Sequence, residues 1–136
     1  PAWRLTFHGQ SAGFPAFSPD GRWVSYQVRN GRGTHLWLAP LDGGEPRVLV
    51  TEDGESWPYS FSADGATILF AGQRGGVWNI YSVDVEGQSV RRLTENRAVT
   101  GYLRYPTLSP AGDLVLYEKA DSKSDLFVVR DFLPGD

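Results

Sequence analysis

The sequence predicts an all-β chain of propeller blades, three blades of antiparallel strands in series. Three observations carry this. A turn segment recurs: "FSPDGRWVSYQV" at 17–28 returns as "FSADGATILFAG" at 61–72 and, altered, as "LSPAGDLVLYEK" at 108–119. Its aligned serines, Ser18, Ser62 and Ser109, are 44 and 47 residues apart. The segments between the turns are rich in β-branched and aromatic residues and show no sustained helical period. A four-stranded antiparallel unit repeating at that length is the signature of a propeller blade. A β-sandwich has no reason to repeat its turn chemistry at a fixed period.

Each unit reads as four short strands. Strand a is "FPAFS", "YSFS" or "YPTLS". The Pro-Asp-Gly type turn follows, where Asp accepts a hydrogen bond within the turn and Gly takes the positive φ that other residues resist. Strand b alternates, with Val24 and Tyr26 on one side and Trp23 and Ser25 on the other; its counterparts are "TILFA" and "LVLYE". Strand c is "LWLA", "IYSV" or "LFVV". A second turn, Asp42-Gly43-Gly44 or Glu86-Gly87, leads to strand d, "RVLV" or "RRLT".

The third unit offers no convincing strand d in "RDFLPGD", yet the chain opens with "WRLT", a match for "RRLT" at 91–94. The expected organisation is 1–6 as a strand d completing another blade, 7–50 as blade 1, 51–94 as blade 2 and 95–136 as blade 3 without its own strand d. Three blades are too few to close a ring, since propellers use 4 to 8. The expected assembly is a six-bladed ring made by a head-to-tail homodimer, closed by strand exchange like velcro, or else half of a longer chain. The Pro1 start and the absence of Met point to a processed product, an excised piece or an engineered sequence.

Composition narrows the function. The net charge of −3 argues against a phosphate-binding footprint, so no nucleic-acid partner is expected. No run is long enough for a membrane span, so no membrane insertion is expected. The absence of cysteine excludes disulfides, thiolate zinc sites and cysteine nucleophiles.

The repeat, with Pro15-Ala16-Phe17-Ser18-Pro19-Asp20-Gly21, then Val24, Tyr26 and Leu36-Trp37, and with Arg91-Arg92-Leu93-Thr94 closing the second unit, resembles the TolB-like propeller repeat, a WD-like blade built on a Ser-Pro-Asp-Gly turn. The resemblance covers nearly the whole chain. It implies a six-bladed propeller serving as an interaction platform in the bacterial periplasm. Similar blades form the non-catalytic gating domain of prolyl-oligopeptidase-type and tricorn-type peptidases, and sensor domains of regulators. Two turns depart from the pattern, through Ala63 in the second unit and Ala111-Gly112-Asp113 in the third, which puts their local geometry in question.

Gly9-Gln10-Ser11-Ala12-Gly13 fits the G-x-S-x-G pattern of a hydrolase nucleophile, but that chemistry needs a helix after the Ser. Pro15 and Pro19 forbid one here, so no catalytic residue is expected. His8 and His35 are the only histidines, too few for a convincing metal site, and neither metal nor cofactor is expected. The recurring aromatics Phe17, Tyr26, Trp37, Phe61, Phe70, Tyr81, Tyr117 and Phe127 read as core between blades. Trp57, Trp78 and Tyr102 do not recur and are placed in or beside loops at one end of the blades. That end also collects Arg29, Arg32, Arg74, Arg97, Arg104, Lys119 and Lys123, a basic bias. The candidate binding residues on this loop face are His8, Gln10, Arg32, His35, Trp57, Arg74, Arg97, Tyr102 and Arg104. The function expected is non-enzymatic binding of a protein or peptide there. The alternatives are the gating portion of a peptidase, or a half-propeller with no ligand of its own.

Overall fold

A computed structural model describes residues 1–121 and 123–132. Its strands form three antiparallel sheets in chain order. The first is β1 (Ala12–Phe17), β2 (Trp23–Asn30), β3 (Gly33–Pro40) and β4 (Arg47–Val50). The second is β5 (Glu55–Phe61), β6 (Thr67–Arg74), β7 (Val77–Asp84) and β8 (Val90–Arg92). The third has three strands among the described residues, β9 (Tyr102–Leu108), β10 (Leu114–Ala120) and β11 (Ser124–Arg130). The expected lack of a fourth strand after β11 extends onto residues 133–136, which lie outside the described residues.

The serine turn holds each sheet in the same way. Ser18 Oγ donates to Asp20 Oδ1 at 2.6 Å while accepting from the Trp23 amide at 3.0 Å. Ser62 repeats this with Asp64 and the Thr67 amide. In the third sheet Ser109 Oγ donates to Asp113 at 2.8 Å and accepts from the Leu114 amide at 3.0 Å. The carboxylate has moved in sequence, but the glycine after it in the others keeps its place, with φ of 72°, 72° and 78° at Gly21, Gly65 and Gly112. The departure at 111–113 therefore leaves the turn intact.

The sheets stack face to face. Leu36, Leu38, Leu49 and Val50 of the first meet Ile68, Phe70, Tyr81 and Val83 of the second. Leu69, Ala71, Trp78, Ile80 and Leu93 of the second meet Leu103 and Val115 of the third. The middle sheet is covered on both faces, which is why Ile68-Leu69-Phe70-Ala71 is buried without alternation. The far face of the first sheet, Val24, Tyr26, Val28 and Ala39, is capped by Leu5. Residues 1–7 belong to no strand.

Two of the aromatics expected in the core lie elsewhere. Phe17 is 71% exposed because no blade lies against its flank, whereas its equivalent Phe61 packs on the first interface. Phe127 is 41% exposed because, among the described residues, no fourth strand runs beside β11. Tyr26 is buried, but beneath the N-terminal segment and not between two blades.

Candidate functional site

The first strands β1, β5 and β9 are the inner edges of their sheets and touch one another in series. Each carries a bulge against its neighbour, between Gly13 and Ala16, between Pro58 and Ser60, and opposite Leu116 to Glu118. The extra residue re-aims a side chain out of the pleat. Phe14 and Tyr105, each followed by proline, take φ of 52° and 54°. A bulky residue in the left-handed region costs on the order of 1–2 kcal/mol. The strain is carried at equivalent places on two blades.

These bulges assemble a closed circuit of rings. Phe14 stacks on Trp57 with centroids 5.5 Å apart and planes 11° apart. Trp57 lies 6.4 Å from Tyr102 at 18°. Phe14 also meets the ring of Tyr59 edge-on at 5.6 Å, and Tyr59 lies 5.1 Å from Tyr105. Between Tyr102 and Tyr105 sits the Arg104 guanidinium, 5.7 Å and 5.2 Å from their centroids. Its Nε and Nη2 donate to Glu118 at 3.1 Å and 3.2 Å. This two-point pairing, led by the hydrogen bonds, raises the Arg104 pKa and lowers that of Glu118, so both stay charged and together neutral. Burial pushes the Tyr59 hydroxyl up to about 12. Phe14, Tyr102 and Tyr105 remain exposed. The wall offers flat apolar faces with little net charge.

The structure distributes the nine candidate residues. Trp57, Tyr102 and Arg104 come together on this wall, and Trp57 lies within β5, not in a loop. Trp78, expected near the loops, is buried beneath it in the second interface, 4.3 Å from Trp57. Arg32 and His35 share a shallow groove with Asp53. Arg97 lines another with Lys119. Gln10 is exposed. His8 stands apart on the outer flank, its Nε2 2.8 Å from the Tyr26 hydroxyl and its ring 4.4 Å from Trp37, while His35 bonds Asn30. Arg74 is a structural tie: it donates to the backbone carbonyls of Glu55 and Gln73 and to Ser56 Oγ, and pairs with Glu52 at 2.9 Å.

Three of the seven cations behind the expected basic bias are paired. Arg29 pairs with Glu55, Arg74 with Glu52 and Arg104 with Glu118. Sequence reasoning missed Phe14, Tyr59, Tyr105 and Glu118. An aromatic beside a proline at the start of each strand a was the signal that could have found the first three.

Sheets that each turn on a serine, stack through apolar faces and carry bulged inner strands can be compared with known proteins. The sequence matches the TolB beta propeller domain over residues 5–134. The chain belongs to that family. An uncharacterised protein of Agrobacterium fabrum is 30% identical over 106 residues, covering 78% of this chain and 35% of the relative. A tricorn protease homologue (homolog 2) of Streptomyces coelicolor is 46% identical over 49 residues, 36% of this chain and 4% of the homologue. The solved structure of a protein described as TolB from Agrobacterium tumefaciens superposes with a TM-score of 0.78 at 24% identity, covering 93% of this chain and 48% of that one. The TolB-family chain thus spans less than half the length of these relatives, as three blades of a larger propeller would.

Proposed function

We propose that this TolB-family segment is a non-enzymatic binding scaffold of the bacterial periplasm that takes an extended, largely uncharged peptide segment on the inner wall of its propeller. The observation that carries the reading is the circuit of Phe14, Trp57, Tyr102, Tyr105 and Tyr59 around a neutralised Arg104. Aromatic-lined surfaces recognise extended peptides through ring faces, and Trp, Tyr and Arg dominate interface hot spots. The strain at Phe14 and Tyr105 supports the same reading, since strained side chains cluster at ligand sites.

The test is a fluorescence titration of the chain with a library of proline- and leucine-containing peptides, read on its tryptophans. Trp57→Phe and Tyr105→Ala are expected to weaken the best binder about tenfold or more each, as hot-spot truncation does. Arg32→Ala and Arg97→Ala are expected to leave it within about twofold. Binding that survives the wall substitutions and falls with Arg32→Ala returns the site to the outer grooves.

The similarity to a tricorn protease homologue favours a second reading, in which the segment belongs to the gating propeller of a larger peptidase. The same wall would then line the route to an active site elsewhere in the parent chain. A peptide that binds and also passes uncleaved through the parent protein decides against it.

A further inference from the structure

We infer that the cleft between the second and third sheets, at the end that carries their serine turns, binds a neutral polyhydroxylated molecule of monosaccharide size. The cleft is separate from the aromatic wall, none of whose rings lines it.

The cleft exists because equivalent positions of the two interfaces carry different residues. Trp23 and Thr67 are equivalent, since each gives its amide to the turn serine five positions before it. Trp23 packs into the first interface. The Arg47 guanidinium lies 5.7 Å from its ring and donates to the Val85 carbonyl of the second blade. Arg91 is the equivalent of Arg47, because Leu38 pairs with Arg47 and Ser82 with Arg91. It crosses the second interface in the same manner and donates to the Phe132 carbonyl at 3.2 Å. Thr67, however, gives it no ring to lie on. Beside them, Ser25 pairs with Leu38 in the first sheet and Leu69 with Ser82 in the second. The serine and the leucine have changed places, so their volumes cancel. The net loss is the indole. What remains is a cavity of about 460 Å³. Small-molecule sites occupy roughly 300–1,000 Å³.

The lining is polar and largely unengaged. Thr67, Ser82 and Ser89 bring hydroxyls to it, and none of the three hydroxyls has a protein partner among the described residues. Asp64 and Asp84 line it too, each with one oxygen occupied. Asp64 Oδ1 accepts from Ser62 Oγ and the Ala66 amide, and Asp84 Oδ1 accepts from the Gln88 and Ser89 amides. The second oxygen of each is open. The Ser62 hydroxyl, and then the Ala66 amide, hold the Asp64 carboxyl below its usual range, so it is an acceptor at neutral pH. Arg91 has no ion pair among the described residues, and its remaining N–H groups are donors for a ligand. Leu69, Leu93 and Phe132 add apolar surface to the same cavity.

This donor and acceptor set selects the ligand class. A simple anion would pair with Arg91 and be repelled by two carboxylates, and a simple cation would meet the reverse. A polyol satisfies both, because each hydroxyl donates and accepts. Its hydroxyls donate to Asp64 and Asp84 and accept from Arg91. Its C–H faces cover the leucines and the Phe132 ring. A few placed polar groups among apolar ones is the composition that orients a small ligand.

The test is an amide NMR titration of the chain with D-glucose, D-galactose and D-mannose at millimolar concentration, with L-serine as a zwitterion of similar polarity. At least one hexose is expected to shift the amides of Ser82, Ser89 and Arg91 saturably while those of Trp57 and Tyr102 stay in place. Thr67→Trp restores the ring that the first interface accommodates. It is expected to abolish the shifts without lowering Tm. Ser82→Ala removes a single hydroxyl, leaves the fold intact and is expected to weaken binding about fivefold, the worth of one hydrogen bond. No saturable shift with any of the three hexoses overturns the inference. Binding unchanged in Ser82→Ala and in a folded Thr67→Trp also overturns it, by removing the ligand from this cleft. Shifts at the same amides with L-serine alone overturn the ligand class.

Discussion

Register pairs Tyr26 with Trp37 and Tyr117 with Phe127, so Leu36 and Leu126, each just before the second ring, occupy the same place in two blades, and truncating each to alanine isolates the value of a neighbouring blade. Leu→Ala removes three carbons, about 2.4 kcal/mol of transfer free energy when fully buried at about 0.8 kcal/mol per methylene. Leu36 is fully buried against the second blade, so the loss is complete and a cavity term adds to it. The total expected for Leu36→Ala is about 3–4 kcal/mol, inside the usual range of 2–5. Leu126 is 72% exposed, and scaling by the fraction buried leaves about 0.7 kcal/mol. The assay is urea unfolding followed by tryptophan fluorescence, extrapolated linearly to water. It is run at a concentration where scattering reports one chain. Equal losses for the two variants under that condition refute the equivalence reasoning.

Three further outcomes are expected. Gly54→Ala drives a Cβ into the Gln73 carbonyl oxygen at a φ of 110°, and lowers Tm by roughly 10 °C in a calorimetric scan, whereas Gly9→Ala, in open space, costs only its φ. The Asp20 carboxyl, held at about 2 first by the Ser18 hydroxyl and then by Arg22, has a folded pKa below its unfolded one. Its contribution is present above the ordinary 3.8 and lost as pH falls towards about 2; carboxyl NMR titration reads the midpoint, and Ser18→Ala moves it back up. Tyr26→Phe removes the hydroxyl that meets His8 and is expected to speed amide exchange in residues 1–7 while leaving exchange in β6 unchanged.

The blades were legible because their cues are local. A serine, a carboxylate and a glycine at fixed spacing make a turn, and the apolar runs on either side make strands. The moved carboxylate of the third turn was not read as the same device, since only the fold shows Asp113 accepting from the Ser109 hydroxyl from the far side of the glycine. The site was legible only in part. Trp57, Tyr102 and Arg104 stood out by residue type, but Phe14, Tyr59 and Tyr105 meet them through bulges whose positions depend on cross-strand register, which no single strand encodes. The loop face misled for a related reason. Counting cations gives a basic surface, and only the fold shows that Glu55, Glu52 and Glu118 arrive beside Arg29, Arg74 and Arg104. Phe17 and Phe127 were misplaced because repetition implies a neighbour that the first and third sheets do not have among the described residues.

The prolines of the inner strands have a consequence for solubility. Pro15, Pro58 and Pro106 each lie beside a bulge on a sheet edge, where they remove a backbone donor. Those edges cannot template the addition of a foreign strand. The outer edge at Ser124–Arg130 has no such protection: it carries no proline, its register with β10 is unbroken, and it is apolar through Leu126 to Val129. Left bare, it is the place where this chain would begin to aggregate.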